Sequence, residues 1–548
     1  MNTTVKIILG IFIATLTYFP QVTAQNFSQD VYPSDEEIFE AYLRGDIDYT
    51  TYQNLVEIFE QGVDSSDLFL LDEIPNLDYF PNTRTRDFPE LEKEQEEPFK
   101  RHARGEMPKA FSGNAGIRRF QSLEEDAAAR NQYYFRYGLP SGWAFNTWLN
   151  GDSAGNREWA NRSLKYANSA GVVKRIILGN FVANYGLGLT VGYRGRILSK
   201  DSTTWDKSFL FPDYGGFNGI YIEGGRQSDA AKMIVHYDKD ATHEVQATGI
   251  SLSKKLRHFK GEGIFLASRL ENRIVGTKHN FSQLGYCFQY QIPGFMAAFE
   301  SVLPGGTQHA FPAAILESHF NKAPFNLSLA AWQYSADYIN PFGGGRSGFD
   351  YHTVAIEEID LKFSDRRNDQ KGILIKEIAR IKDRGIYELS FSVYGKDHFQ
   401  RSARVSTSLE IPISSLTSLR GDYRYAEEID AGESKSTHSF RLEYILKSAK
   451  IFSRSYAGYK IDKNLRKYFS LFSRANASIS KLGNVELWLN LDKLDSQDGK
   501  INYFYGYIKE SVYATKNLEL GMKYSYRYNR DYQTRSSSTF LLTGEIIW

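Results

Sequence analysis

The chain has 548 residues, a formal net charge of +1 at pH 7, a mean hydropathy of −0.44 and one cysteine, Cys287. The balanced charge gives no global electrostatic attraction for nucleic acid, and a single cysteine excludes an internal disulfide. Aromatic residues make up 15% of the chain whereas prolines number only 15, so Gly, Asn, Asp, Ser and Lys must mark most turns.

Residues 1–24 have the pattern of a secretory signal peptide. Lys6 precedes an apolar run from Ile7 to Thr15, and the small residues at 22–24 predict cleavage before Gln25. A membrane anchor is the alternative, but the run is well short of the ~20 residues that a spanning helix needs. We therefore expect an exported chain that starts at residue 25 and has no transmembrane helix.

Residues 25–112 form an acidic segment in which helices and a linker are predicted. The segment holds 21 Asp and Glu residues against 8 Lys and Arg residues. Ser34 and Glu37 have the spacing of a capping box and predict a first helix. Apolar spacing predicts a second helix over residues 49–61, and a third begins near Ser65 and ends before Pro75. Residues 81–100 have the composition of an extended acidic linker.

From about Gly113 to the end of the chain, apolar and polar residues alternate with a period of two. Over residues 518–528, for example, Leu, Met and Tyr side chains alternate with Glu, Lys, Ser and Arg. Residues 283–292, 417–425, 439–447 and 485–492 alternate in the same way. Such stretches predict strands with one apolar face. At 245–255 the alternation slips, which predicts a β-bulge or a misplaced strand boundary.

The strand lengths select the class of β-protein. A soluble sandwich or propeller would also alternate, but its strands average five or six residues. Strands of about ten residues suit a tilted crossing of a bilayer, and the many Tyr and Phe residues suit interfacial girdles. Residues 113–548 are therefore predicted to form an all-β transmembrane barrel of roughly 22–26 antiparallel strands. Residues 199–216 and 340–350 are expected to form long extracellular loops.

Sequence motifs give little support for catalysis. Gly186, Gly188 and Gly192 lack the spacing of a dinucleotide-binding fingerprint, and we expect them to lie in a strand beside large neighbours. Residues 343–346, Gly-Gly-Gly-Arg, are expected to form a flexible loop tip. No histidine pair predicts zinc, and Cys287 lacks the His and Asn context of a nucleophile.

Three polar residues could still converge in space to form a catalytic group, namely His236, Asp238 and Ser251. Sequence alone does not place them together, so no catalytic residue, metal or cofactor is predicted.

The polar face of the C-terminal strands is strongly charged. The candidate lumen-facing residues are Arg420, Arg424, Arg441, Glu443 and Arg527. They could form a selectivity surface for anionic or sugar-like solutes. Alternatively, they form cross-strand ion pairs that stabilise the wall, which is the interpretation we favour.

The chain ends on a strand that carries an apolar stripe. Phe540, Leu542, Gly544, Ile546 and Trp548 occupy alternate positions. This strand resembles the closing strand of Gram-negative outer-membrane β-barrel proteins. In that family the terminal aromatic residue is part of the signal read by the barrel insertion machinery.

Two further stretches resemble a group of Bacteroidota-type outer-membrane barrels with an N-terminal helix-hairpin-helix-like segment. Residues 178–189 are similar to a Gly-Asn-Phe and Tyr-Gly-x-Gly-Leu stretch of that group. Residues 63–68 and 74–77 are similar to half of a helix-hairpin-helix module. Asn76 replaces the glycine that would allow close approach to a DNA phosphate, so a nucleic-acid partner is not expected.

Together these features predict a porin-like barrel of the outer membrane, with residues 25–112 in the periplasm. The expected function is a channel or transporter for a solute or polymer, gated by loops or by the acidic segment. The alternative is a structural component of a DNA-uptake or protein-export apparatus, and an outer-membrane barrel enzyme comes third. Residues 25–112 are a candidate site for a periplasmic protein partner, and the barrel surface is expected to contact lipid.

Overall fold

We analysed a computed structural model of the chain, in which the barrel and parts of its connections are described. The described residues are 112–122, 129–139, 141–152, 155, 157–168, 171–181, 183–192, 217–226, 228–239, 243–273, 276, 278–305, 313–322, 324–335, 338, 340, 342–343, 354–356, 363–365, 369–381, 385–396, 401–430, 433–448, 451–479, 483–495, 501–515, 517–529 and 536–547. The predicted signal peptide and the helices predicted in the acidic segment lie outside these residues.

The described residues contain 26 β-strands. Their bounds are β1 Ser112–Ser122, β2 Arg130–Gly138, β3 Trp143–Asp152, β4 Arg157–Ala167, β5 Val173–Phe181, β6 Phe217–Gly225, β7 Asp229–Lys239, β8 His243–Leu256, β9 Phe259–Asn272, β10 Lys278–Ile292, β11 Phe295–Gly305, β12 Ala313–Lys322, β13 Phe325–Gln333, β14 Val354–Ile356, β15 Phe363–Asp365, β16 Lys371–Ile381, β17 Gly385–Gly395, β18 Arg401–Pro412, β19 Thr417–Asp430, β20 Glu433–Lys447, β21 Ile451–Ile461, β22 Lys467–Ile479, β23 Gly483–Asp495, β24 Ile501–Thr515, β25 Leu518–Asn529 and β26 Ser536–Ile547.

Twenty-four of these strands form one closed antiparallel barrel. Each strand pairs with the next along the chain, and β26 pairs with β1, placing Gly544 opposite Ile117. Strands β14 and β15 form a separate pair within one connection. Closure satisfies the edge hydrogen bonds of the sheet, as lipid requires. The prediction of a barrel with roughly 22–26 strands is confirmed.

The outer face of the barrel is apolar. In β10, Leu284 and Phe288 are 52% and 57% exposed, whereas Gln283 and Cys287 on the opposite face are 6% and 1% exposed. The same alternation in β25 exposes Leu520, Met522, Tyr524 and Tyr526, and in β26 it exposes Leu542 and Ile546. These side chains are the ones that the period-two pattern assigned to lipid. Among the described residues, no helix has the length and apolarity needed to span a bilayer.

The prediction of a β-bulge or a misplaced strand boundary near residues 245–255 is wrong. Strand β8 pairs with β7 and with β9 without a register shift. Val245 and Ala247 face the interior and are 0% and 4% exposed. The alternation slips there because the apolar positions of β8 change face along the strand: Val245 and Ala247 face an interior core, whereas Ile250 and Leu252 face lipid.

The connections divide between the two ends of the barrel. Because neighbouring strands are antiparallel, the start of β1 and the end of β26 lie at one end, which we call the termini end. All connections at the termini end have five residues or fewer. The two longest connections, residues 182–216 and 334–370, leave from the opposite end. They include the two predicted long loops, although residues 199–216 and 344–350 lie outside the described part of the chain.

Candidate functional site

Parts of the two longest connections fold into the barrel interior. We call residues 183–192 inner loop 1 and residues 334–343 inner loop 2. Inner loop 1 contacts Glu300, which lies on the inner face of β11, and Tyr185, Leu189 and Thr190 are completely buried. In inner loop 2, Asn340 and Phe342 are also completely buried. The two loops therefore occupy part of the lumen and are the candidate functional site.

The Glu300 carboxylate anchors inner loop 1. One carboxylate oxygen accepts hydrogen bonds from the backbone N–H groups of Leu187 at 2.5 Å and Leu189 at 3.3 Å. The other accepts from the backbone N–H and the hydroxyl of Thr190, both at 3.0 Å. Four donors thus converge on one buried side chain. Charge-assisted hydrogen bonds of this kind are stronger than neutral ones.

The glycines of inner loop 1 shape this anion-binding turn. Gly186 and Gly188 have φ angles of +59° and +83°, which glycine adopts without steric cost. Such turns aim consecutive N–H groups at an anion. The expectation that these glycines lie in a strand is wrong, because β5 ends at Phe181. The turn holds an anion, but that anion is the protein's own Glu300.

Small residues on the barrel wall make room for inner loop 1. A Cβ atom at Gly285 of β10 would overlap the Thr190 hydroxyl. A Cβ atom at Gly186 would lie 2.9 Å from the Cβ atom of Cys287, the buried free cysteine. The wall and the loop are therefore complementary in shape at this point, and Cys287 has a packing role.

Inner loop 2 is fixed directly to inner loop 1. The side-chain amide of Asn340 donates to the backbone carbonyls of Leu189 and Thr190, each at 2.9 Å. The Tyr338 hydroxyl donates to the Leu189 carbonyl at 3.0 Å. The Gly192 N–H donates to the Phe342 carbonyl at 2.9 Å. The two loops form one docked unit, although about 150 residues separate Leu189 from Asn340.

An apolar core lies beneath this docked unit. The Phe217 ring stacks on Phe181 at a centroid distance of 5.5 Å and on Phe342 at 6.2 Å. Ile234 and Val245 are completely buried in the same cluster. The period-two pattern did not predict this core, because alternating apolar residues were assigned to lipid contact alone. The signal that could have shown it is the change of face in β8, where apolar residues occupy odd-numbered positions at 245 and 247 but even-numbered positions at 250 and 252.

The sector from β16 to β23 has a charged inner wall instead. Glu388 of β17 pairs with Lys376 of β16 at 3.0 Å and with Arg420 of β19 at 3.6 Å. Asp422 pairs with Arg420 at 2.9 Å and with Arg441 of β20 at 2.8 Å. The network links four strands across the wall.

The remaining predicted lumen residues extend or flank this network. Glu443 is completely buried and pairs with Arg454. Arg424 lies on the same inner face of β19 and is partly exposed. Arg527 is exposed, on β25, with its guanidinium 5.4 Å from the Tyr505 ring centroid. The structure thus brings Arg420, Arg441 and Glu443 together and places Arg527 apart from them.

An aromatic row borders the charged wall and was not predicted. Phe472 lies 4.9 Å from Tyr456 and 4.7 Å from Trp488, and Trp488 stacks on Tyr507 at 5.8 Å. Arg474 pairs with Glu486 at 2.8 Å and lies 5.9 Å from the Trp488 ring. All four rings are at most 7% exposed, so the row packs as a core and supports the neighbouring charges.

The three polar residues that could have formed a catalytic group do not converge. Ser251 donates to Glu262 at 2.5 Å, whereas the His236 Nδ1 atom accepts from the Asn218 N–H at 2.9 Å. The described residues include no cluster of three or more His, Cys, Asp or Glu side chains that could hold a metal ion.

Tyr185 of inner loop 1 has a buried hydroxyl that makes no hydrogen bond to a described residue. Burial raises the pKa of Tyr185 well above its ordinary value, and the nearby carboxylates of Glu262 and Glu223 raise the pKa further. The Tyr185 side chain therefore remains a neutral donor in the interior.

Comparisons with known proteins identify the fold. No protein-family model matches the chain, and no curated protein matches it. The chain is similar to a chain of the Escherichia coli P pilus tip assembly intermediate PapC-PapD-PapK-PapG, with 10% identity and a TM-score of 0.50. That match covers 79% of this chain but only 60% of the other.

Two Pseudomonas aeruginosa structures are also similar. The siderophore receptor PirA matches with 8% identity and a TM-score of 0.44, covering 80% of each chain. OprD matches with 9% identity and a TM-score of 0.31, covering 59% of this chain and 94% of the other. At these identities the similarity concerns the fold alone, which is the closed barrel of Gram-negative outer-membrane proteins, as the C-terminal strand predicted.

Proposed function

We propose that the protein is an outer-membrane channel or transporter whose lumen is partly closed by its own docked inner loops. The observation that carries this proposal is the division of the inner wall. From β5 to β13 the wall carries two apolar clusters and the anchoring carboxylate of Glu300, and it is covered by inner loops 1 and 2. From β16 to β23 it is lined by charged groups. A polar solute would pass along the charged sector.

The outward apolar face supports a membrane location. In this proposal the termini end faces the periplasm, because short turns at the periplasmic end and longer loops at the extracellular end are the rule for these barrels. The acidic segment would then lie in the periplasm, and the inner loops would enter the lumen from outside the cell.

The cations on the inner wall suggest which solutes would pass. Among the predicted lumen residues, Arg527 is exposed and Arg424 is partly exposed, whereas the partly exposed Arg420 already pairs with Asp422 and Glu388. Partly exposed arginines favour anionic solutes, as rings of basic side chains do in anion pores. The proposal therefore favours anionic or acidic-sugar solutes over cations. It assigns the protein no catalytic step.

The proposal is tested by recording from the purified full-length protein in planar bilayers. We expect brief openings from the wild type and longer ones from Glu300→Gln, since that change weakens the anchor of inner loop 1. The double variant Arg424→Glu, Arg527→Glu should shift the reversal potential in a salt gradient toward cations. Lys463→Glu, which changes the same kind of charge in an exposed turn, should leave it unchanged. Absence of conductance in both the wild type and Glu300→Gln would refute the proposal.

A second candidate function is a part of a protein-export or DNA-uptake apparatus. It is supported by the similarity to a chain of a pilus assembly intermediate, at a TM-score of 0.50. Purification of the full-length protein under mild detergent conditions would separate the two candidates. Stoichiometric co-purification of periplasmic or inner-membrane proteins, without channel activity, would favour the apparatus.

A further inference from the structure

The charge of the chain is divided sharply between its acidic segment and its barrel. Residues 25–111 contain 21 Asp and Glu and 8 Lys and Arg, a net charge of −13. Residues 112–548 contain 44 Asp and Glu and 57 Lys and Arg, a net charge of +13. The near-neutral total therefore conceals two oppositely charged parts joined directly at β1.

The connections at the termini end carry a net positive charge, whereas those at the opposite end do not. Counted between the strand bounds, the connections at this end contain seven Lys and Arg residues and one acidic residue, Asp383. The connections at the opposite end contain 15 Lys and Arg and 18 Asp and Glu. The acidic segment joins the barrel at the start of β1, which is the basic end.

A group of exposed cations lies on described residues at this end. Arg226 lies in the β6–β7 turn, Lys254, Lys255 and Arg257 lie at the β8–β9 hairpin, and Lys322 ends β12. All five side chains are exposed, and none forms an ion pair with another described residue. We call these five residues the basic rim. Elsewhere on the wall, inward-facing cations such as Arg420 and Arg441 already have carboxylate partners.

We propose that residues 25–111 dock on the basic rim of their own barrel. The docking joins a segment of charge −13 to unpaired cations at the end from which that segment leaves. Covalent attachment makes the contact intramolecular and gives the segment a high effective concentration at the rim. Phosphate groups of the lipid could bind the same cations, but they have no tether and no fixed position. This inference goes beyond the proposed function and holds whether or not the barrel conducts.

The contact is expected to be sensitive to salt, since it is formed by exposed charges. The Debye length is about 10 Å at about 0.1 M salt and about 3 Å at about 1 M. The acidic segment contains four trypsin sites between residues 84 and 100, at Arg84, Arg86, Lys93 and Lys100. Cleavage at these sites therefore reports whether the segment is docked.

The experiment measures tryptic cleavage of the full-length protein in detergent at both salt concentrations. We expect cleavage between residues 84 and 100 to be roughly tenfold slower at low salt than at high salt. Screening is weaker at low salt, so the attraction between the segment and the basic rim is stronger there. In the rim variant Lys254→Glu, Lys255→Glu, Arg257→Glu, cleavage should be fast at both concentrations. The control variant Lys239→Glu, Lys278→Glu, Lys463→Glu reverses three charges at the opposite end and should behave as the wild type.

Several results would overturn the inference. Cleavage of the wild type that does not depend on salt would do so without any variant. If residues 84–100 remain protected from trypsin in the rim variant, and that variant no longer binds vesicles of anionic phospholipid, the rim is a site for lipid phosphate instead. If residues 84–100 are protected from trypsin only when a separate periplasmic protein is added, the acidic segment binds that partner rather than the rim. Heat-modified migration in gels checks that each variant has a folded barrel.

Discussion

Replacement of Glu300 by glutamine should release inner loop 1 while leaving the barrel intact. Glu300→Gln keeps the size and shape of the side chain, so it creates no cavity. Each carboxylate oxygen accepts two hydrogen bonds from the loop. If the amide nitrogen replaces the oxygen bonded to Leu187 and Leu189, two backbone N–H groups lose their acceptor. If it faces Thr190, the backbone N–H of Thr190 loses its acceptor, whereas the Thr190 hydroxyl can accept from the amide instead.

The size of this effect follows from the type of hydrogen bond. A bond to a charged group contributes about 1.5–3 kcal/mol net, and contributions from one cluster are not additive. Loss of one or two such bonds should therefore weaken loop docking by about 2–3 kcal/mol, which corresponds to a roughly 30- to 150-fold increase in opening. The effect should be confined to the loops, since Glu300 uses its backbone, not its carboxylate, to pair with β10 and β12.

Hydrogen exchange measured by mass spectrometry tests this expectation in detergent-solubilised protein. Peptides that cover residues 183–192 should exchange much faster in Glu300→Gln, while peptides from β10 and β11 keep their protection. Glu410→Gln is the matched control, because Glu410 lies on the inner face of β18 and accepts from Ser418 at 2.7 Å. If residues 187–190 remain as protected in Glu300→Gln as in the wild type, the anchoring role of Glu300 is refuted.

Three further predictions test the wall and the outer surface. Gly285→Val should accelerate exchange in inner loop 1 because the added side chain overlaps it, whereas Gly263→Val, where an added Cβ meets no atom within 4 Å, should not. Glu443→Gln should destabilise the barrel by about 3 kcal/mol, seen as a lower melting temperature, because it removes one partner of a buried ion pair. An unchanged melting temperature would show that the charged network is dispensable. Met522→Arg places a charge on the lipid face and should cost about 2–4 kcal/mol in urea unfolding from vesicles. Ser525→Arg on the inner face of the same strand should cost much less, and equal costs would contradict the assignment of the two faces.

The amino-acid sequence by itself determined the class of fold. Side chains of a strand alternate between two faces, so the pattern of β25 and β26 identified both the strands and their lipid-facing sides. The strand length identified a membrane barrel, and the spacing of strands gave a range that contains the observed 24. The placement of Arg420, Arg441 and Glu443 on the polar face also followed from this local alternation. The predicted helices of residues 25–112 and the predicted periplasmic partner stay predictions.

Only the tertiary structure decided what occupies the lumen. Alternation shows that a residue lies on the inner face, but it does not show what that face contacts, because the contact depends on chain segments far away in sequence. Val245 is apolar on the inside because Phe217 and Phe342 pack in the same cluster. Glu300 is one acidic residue among many in the sequence, and its role appears only when inner loop 1, more than 100 residues earlier, folds back onto β11. Local periodicity thus fixes the wall of the barrel, whereas long-range contacts decide how that wall is covered.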